Sequence, residues 1–266
     1  MVKYKIVSRG PLILVTATML MAFILGCSES MNLGSKEMTY DGPSRHLGNG
    51  SVYAFEKMAA NGEPIAIGVK MSEAALTGLQ SEPPHDVPGW ETILPLPKEA
   101  ATSGYDLIGI DWNPKGHIPI GIYDKPHFDF HFYMISQAKK DSITAKGEDL
   151  ARADKAPAPE YMPEGYILPK GTEVPRMGAH AIDPSAPEFH KQPFTETFIY
   201  GFYDGQMAFL EPMVTKAFLE TKPNTKERIK LPKAYAKNGY YPTAYSVRYD
   251  TTQREYEISL DNLIYK

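Results

Sequence analysis

Polar and apolar residues alternate through residues 127–132, His-Phe-Asp-Phe-His-Phe. Successive side chains of a β-strand point to opposite faces. The segment therefore predicts a strand with Phe128, Phe130 and Phe132 on one face and His127, Asp129 and His131 on the other. Residues 51–58 and 64–71 flank Ala59-Ala60-Asn61-Gly62 and predict a hairpin. Residues 105–112, 117–123 and 127–135 follow as strands, separated by Asn113-Pro114-Lys115-Gly116 and by Asp124-Lys125-Pro126. Residues 194–203 and 206–210 surround Asp204-Gly205, the strongest short hairpin signal in the chain. A last hairpin, 241–249 and 253–260, turns at Asp250-Thr251-Thr252.

Helical readings are few and short: one from Ser72 as N-cap to Leu79, one over 136–145, and one over 213–220 after Pro212. Residues 157–175, with five prolines, read as a long ordered loop or lid. The whole pattern predicts a mainly β (α+β) chain. Its antiparallel sheets form a sandwich or barrel-like domain with a few short helices.

The N-terminus is a different kind of sequence. Lys3, Lys5 and Arg9 precede an apolar run from Leu12 to Leu25, too short for a comfortable membrane span. The run ends in Ile24-Leu25-Gly26-Cys27, which resembles a bacterial lipobox. The resemblance implies a signal peptide over 1–26 and a lipidated Cys27 that anchors the protein in a membrane. Ser28 after the cysteine implies the outer membrane in a Gram-negative cell. Residues 27–45 then read as the lipidated cysteine with a flexible tether, and 46–266 as one β-rich domain. Cys27 is the only cysteine, which excludes an internal disulfide and a thiolate metal cluster.

The chain has 28 basic and 32 acidic residues, and loss of the three basic residues of 1–26 takes the mature net charge to −7. This mild acidity argues against nucleic-acid binding, which wants a basic face. No Gly-x-Ser-x-Gly elbow, Gly-rich phosphate loop or His-Glu-x-x-His helix occurs. The tyrosine-rich C-terminal hairpin leaves pairing with a second subunit, a homo-oligomer, as an open alternative.

Two imidazoles and a carboxylate on one strand face are half of a metal site or most of an acid/base site. The plainer alternative is a wet strand face. A two-residue turn at Asp204-Gly205 pairs Phe202 with Met207, Tyr200 with Phe209 and Phe198 with Glu211. That register puts Glu196 and Glu211 among aromatic residues, where a carboxylate is expensive unless paired, protonated or bound to a cation. Glu211 is then a ligand or general base, or else the cap of a helix starting at Pro212. His180 follows Gly178, which permits a positive-φ backbone, and Asp183 is close behind. His117 opens a segment after a turn, whereas His46, His85 and His190 read as surface residues.

From Gly48 to Leu219 the chain resembles a little-characterised family of bacterial secreted proteins and lipoproteins, a domain of unknown function first seen structurally in a Thermus protein. The resembling pieces are Trp112-Asn113-Pro114-Lys115-Gly116-His117, residues 126–133 around the alternating strand, Met177-Gly178-Ala179-His180, Tyr200-Gly201-Phe202-Tyr203-Asp204-Gly205 and Phe209-Leu210-Glu211-Pro212-Met213. The resemblance implies a shared fold and a shared His/acid site, with no reaction attached.

Without cysteine ligands, a metal here has imidazole and carboxylate donors, which suits Zn, Mn, Fe, Ni or Cu. The ligand set read from the sequence is His127, His131, His180 and Glu211, with His117 in reserve. Asp129 and Glu211 are the candidate catalytic acids, Asp129 as a ligand, an orienting partner or a general base. The leading functional reading is a metal-dependent enzyme acting on a small organic molecule by hydrolysis or metal-centred oxidation. The alternatives are a non-catalytic metal- or ligand-binding envelope or stress lipoprotein, and metal-free acid/base catalysis by Asp129 with a histidine.

Overall fold

The computed structural model describes residues 1–3, 36–85 and 89–266. Cys27, nearly all of the signal segment and the tether up to residue 35 lie outside the described residues. Fifteen strands occur in these residues. The first eight are β1 (Met38–Asp41), β2 (Arg45–Leu47), β3 (Gly50–Met58), β4 (Pro64–Ser72), β5 (Trp90–Pro95), β6 (Leu107–Asn113), β7 (His127–Tyr133) and β8 (Ala179–Ala181). The rest are β9 (Glu196–Tyr203), β10 (Gln206–Thr215), β11 (Asn224–Arg228), β12 (Tyr240–Tyr241), β13 (Ala244–Asp250), β14 (Glu255–Asp261) and β15 (Ile264–Tyr265). The α-helices are short: α1 (Gln137–Ser142), α2 (Leu150–Ala153) and α3 (Lys216–Glu220). None is long and apolar enough to cross a membrane.

The strands make two large antiparallel sheets. One runs β1-β3-β4-β14-β13-β11, with β2 also on β3, and the other runs β5-β6-β7-β10-β9-β8. Pairing begins within the stretch read as tether, since Met38–Asp41 already lies on β3. Inward-facing residues of both sheets form one core. Val52, Ala54, Ile67, Val69, Ile258 and Leu260 meet Ile108, Ile110, Phe128, Phe130, Phe132, Phe198, Tyr200 and Leu210. Two open sheets sharing one apolar layer are a sandwich, and neither closes into a barrel.

Alternation does most of this work. In β6, Ile108, Ile110 and Trp112 face the core, and Gly109, Asp111 and Asn113 face outward. β7 repeats the pattern with its three phenylalanines inward. Ser136 caps α1 by accepting the Lys139 amide. Ser72 precedes a 3-10 turn over Glu73–Leu76 but caps nothing, and its hydroxyl accepts the Ser51 amide instead.

Three further sequence expectations are corrected. Residues 117–123 are a loop rather than a strand, folded back so that the His117 amide donates to the Tyr123 carbonyl. Pro212 does not end its strand: β10 continues to Thr215, whose side chain caps α3. The β7 ladder instead steps from Leu210↔Phe132 to Met213↔Asp129 without pairing Glu211 or Pro212, as a residue lacking an N–H permits.

The third correction is the β9–β10 register. It starts as expected, Gln206↔Tyr203 and Met207↔Phe202, and then shifts between Met207 and Phe209, giving Phe209↔Gly201 and Glu211↔Ile199. A bulge of one residue turns the rest of a strand over. Ala208 is that residue, and it moves Glu211 from the aromatic interior to the outward face beside β7. Glu196 stays on the side of Phe198 and Tyr200, where Thr225 donates to it.

Candidate metal centre

The outward face of the β5–β10 sheet is not a wet surface. His127, Asp129, His131 and Glu211 are almost wholly buried there. One end is closed by Tyr123, Phe194, Ile199 and Met213, and the other by Leu107, Tyr133, Ile143, Ala153, Tyr203 and Phe209. Phe194 stands edge-on to His127, and Phe209 edge-on to both His131 and His180. Between these apolar lids runs a strip of imidazoles and carboxylates.

The strip divides into two groups of three residues. His117, His127 and Asp129 form one, and His131, His180 and Glu211 the other; in each group the donor atoms lie within 4.8 Å of one another. In the first, the Nε2 atoms of His117 and His127 are 3.3 and 3.0 Å from the Asp129 oxygens. In the second, Nε2 of His131 is 3.4 Å and Nε2 of His180 is 3.7 Å from the Glu211 oxygens.

Each ring is set from behind. Nδ1 of His117 lies 2.7 Å from the Ile118 carbonyl, that of His127 2.6 Å from Lys125, and that of His180 2.8 Å from Thr172. A carbonyl oxygen only accepts, so each Nδ1 carries a proton and, in the neutral ring, each Nε2 presents a lone pair. For His131, Asp111 Oδ2 stands 3.1 Å from Nδ1 as an ion-pair contact without hydrogen-bond geometry. Backbone or carboxylate on one ring nitrogen, with the other free, is how a protein prepares a metal-binding imidazole.

The free atoms have no other use. Nε2 of His127 and His131, Oδ1 of Asp129 and Oε2 of Glu211 are buried without hydrogen-bond partners. Such atoms are costly in a protein interior, and here they converge. The other Asp129 oxygen accepts from Asn113 at 2.7 Å.

Electrostatics show the same tension. Burial alone would raise Asp129, but His127 and His117 outweigh it and hold the carboxyl well below the usual range. Burial pushes Glu211 up to about 8, against the pull of His131. Burial opposes charge on His117 and His131, yet Asp129 lifts the first to about 9, and Glu211 with Asp111 lifts the second to about 9. Burial and the neighbouring His131 take His180 down to about 4.

His117, His127, Asp129, His131, His180 and Glu211, the ligand and catalytic candidates read from the sequence, thus all reach this face, distributed over two groups. Glu211 caps no helix. Gly116 and Gly178, ahead of His117 and His180, have φ of +69° and +115°. A side chain at either would press on a backbone oxygen, of Tyr123 or Phe202 respectively. The Pro-rich 157–175 segment supports the site through the Thr172 carbonyl. Asp183 does not join the strip and pairs with Lys230 at 2.6 Å. His46, His85 and His190 are exposed. Asp111 and Asn113 escape the sequence reading, although the Gly109-Ile110-Asp111-Trp112-Asn113 alternation carries the signal that singles out 127–131.

Residues 60–112 match the family model described as TTHB210-like, hypothetical protein TTHB210. That segment is therefore similar to the domain of unknown function that the sequence resemblance pointed to. The matched segment runs from just before β4 through most of β6 and includes Asp111 but none of the histidines of the strip. Neither curated proteins nor solved structures yield a match.

Proposed function

We propose that this protein is an envelope lipoprotein, anchored through Cys27, that holds a divalent transition metal on the covered face of its β5–β10 sheet. One observation carries the metal reading: buried imidazole Nε2 and carboxylate oxygen atoms converge without hydrogen-bond partners while backbone carbonyls hold the Nδ1 atoms of His127 and His180. The anchor rests on the Ile24-Leu25-Gly26-Cys27 sequence.

Each group offers two imidazoles and one carboxylate. That donor set serves catalytic zinc and the ferrous oxygenases, both of which keep a coordination position open. His117 and His180, with side chains 22% and 15% exposed, form the edge through which a small ligand reaches the strip. This supports turnover of a small organic molecule by hydrolysis or metal-centred oxidation. Near-complete cover over His127, His131 and Glu211 supports a second reading, a metal- or ligand-binding envelope protein without turnover.

Elemental analysis of the mature chain, purified without a His-tag, tests the proposal. The expected result is stoichiometric transition metal that falls when His131→Ala is introduced into a still-folded protein. Metal-free protein, unchanged after incubation with Zn, Mn, Fe, Ni and Cu, would refute the metal reading and leave acid/base chemistry. Recovery of Cys27→Ser in the membrane fraction would refute the anchor.

A further inference from the structure

We infer that the strip holds two ions, one in the His117/His127/Asp129 group and one in the His131/His180/Glu211 group. The inference rests on the metal reading above and deepens it.

A single shared ion does not fit the backbone. His127 and His131 are four residues apart on one strand, which separates their Cα atoms by about 13 Å. Side chains stand roughly perpendicular to a sheet, so the two rings leave it side by side rather than leaning toward a common point. The donor atoms follow this: each ring is grouped with its own carboxylate, not with the other ring.

Each group is complete by itself. Donors around an ion with bonds of 2.0–2.1 Å in tetrahedral geometry lie about 3.3 Å apart. The imidazole–carboxylate separations are 3.0 and 3.3 Å in one group and 3.4 and 3.7 Å in the other. Each group also has its own supports, Asn113 with the Ile118 and Lys125 carbonyls for one, Asp111 with the Thr172 carbonyl for the other. Finally, each contains at least one buried Nε2 and one carboxylate oxygen lacking any hydrogen bond, so an ion in one group leaves the orphaned atoms of the other unanswered.

The chemistry specifies the ion class. Two neutral imidazoles and one carboxylate favour Zn, Fe, Co, Ni or Mn in the divalent state over the oxygen-seeking Ca and Mg.

Cobalt titration of full-length protein, purified in detergent without a His-tag and stripped by chelation, tests the inference. Visible absorbance and elemental analysis give the number bound. The expected result is two equivalents per wild-type chain, one in His127→Ala, one in Glu211→Gln, and none in the double variant. Far-UV circular dichroism checks that each variant is folded. One equivalent in the wild type, or complete loss of binding in either folded single variant, would overturn the two-ion inference and leave the metal reading standing. No binding by the wild type would overturn both. The wild-type stoichiometry decides by itself if the variants fail to fold.

Discussion

Asp261 and Glu211 are both acids on the outward face of a sheet, and both are almost removed from solvent. On the seven-stranded sheet, Asp261 receives Ser246 at 2.5 Å, Ser259 at 2.8 Å and Arg248 at 2.9 Å. Burial would raise its carboxyl, and these donors instead hold it below the ordinary range. Around it the face is closed by cross-strand pairs such as Arg248–Glu257. On the six-stranded sheet, Glu211 has histidines at 3.4 and 3.7 Å and an oxygen with no hydrogen bond. One sheet satisfies its buried charge from within; the other collects donors whose lone pairs face one another. Glu56, on the inward face of β3, shows a third outcome: neither oxygen has a partner and no histidine ligand group includes it. A buried acid pairs, takes a proton, or awaits a cation, and its neighbours decide which.

The comparison breaks most completely if the phase that the bulge sets is reversed. Inserting one alanine between Phe209 and Leu210, with the bulge at Ala208 kept, puts the rest of β10 out of phase by one residue. It would turn Glu211 toward the sandwich core and Leu210 and Val214 outward. The expected cost is more than about 4 kcal/mol, enough to abolish cooperative urea unfolding near neutral pH. An insertion variant that unfolds cooperatively and retains its metal would show that the phase of β10 does not position Glu211.

That bulge also marks where sequence reading stops. The alternation at 127–132 is enough to assign both faces of β7, because one inward phenylalanine fixes its neighbours. Asp204-Gly205 is equally readable, since the turn demands the positive φ that both residues adopt, +52° and +73°. Met207-Ala208-Phe209 is apolar throughout, so no polar residue reports a change of phase, and packing on both neighbouring strands selects the bulge. The 117–123 loop is hidden for a similar reason: its path depends on a return contact to Tyr123, which local propensity does not contain. Asp111 lacks a histidine on its own strand, and only the β6–β7 pairing reveals what it supports.

Glu56 sharpens the comparison through pH. Burial pushes its carboxyl from 4.5 to about 7, against the pull of Ser103. Between those values the folded chain keeps a proton that the unfolded chain has lost. Stability therefore falls as pH rises through this window and is flat above it. The full effect is at most about 3 kcal/mol. Glu56→Gln is expected to be the more stable protein at pH 8 and to match the wild type near pH 4. Parallel stability–pH curves for the two proteins would remove Glu56 from the comparison.

The smallest effects come from exchanging charge for shape at the two outward acids, and they are the most discriminating. Asp261→Asn weakens bonds to Arg248 and two serines, a loss of about 1–3 kcal/mol, while metal content stays at the wild-type value. Glu211→Gln preserves shape and replaces a carboxyl that burial raises to about 8 and that has one oxygen without a hydrogen bond. At pH 7 the stripped wild type holds the carboxyl proton, so stability of the chelator-stripped variant is expected within about 1 kcal/mol of it. Its deficit appears only with metal present, because an ion at a hundred times its dissociation constant stabilises the wild type by about 2.7 kcal/mol. Urea titrations of both variants, with and without metal, check the crossing pattern. If Glu211→Gln is as costly without metal as Asp261→Asn, then Glu211 is a structural acid like Asp261 and the two faces are not different in kind.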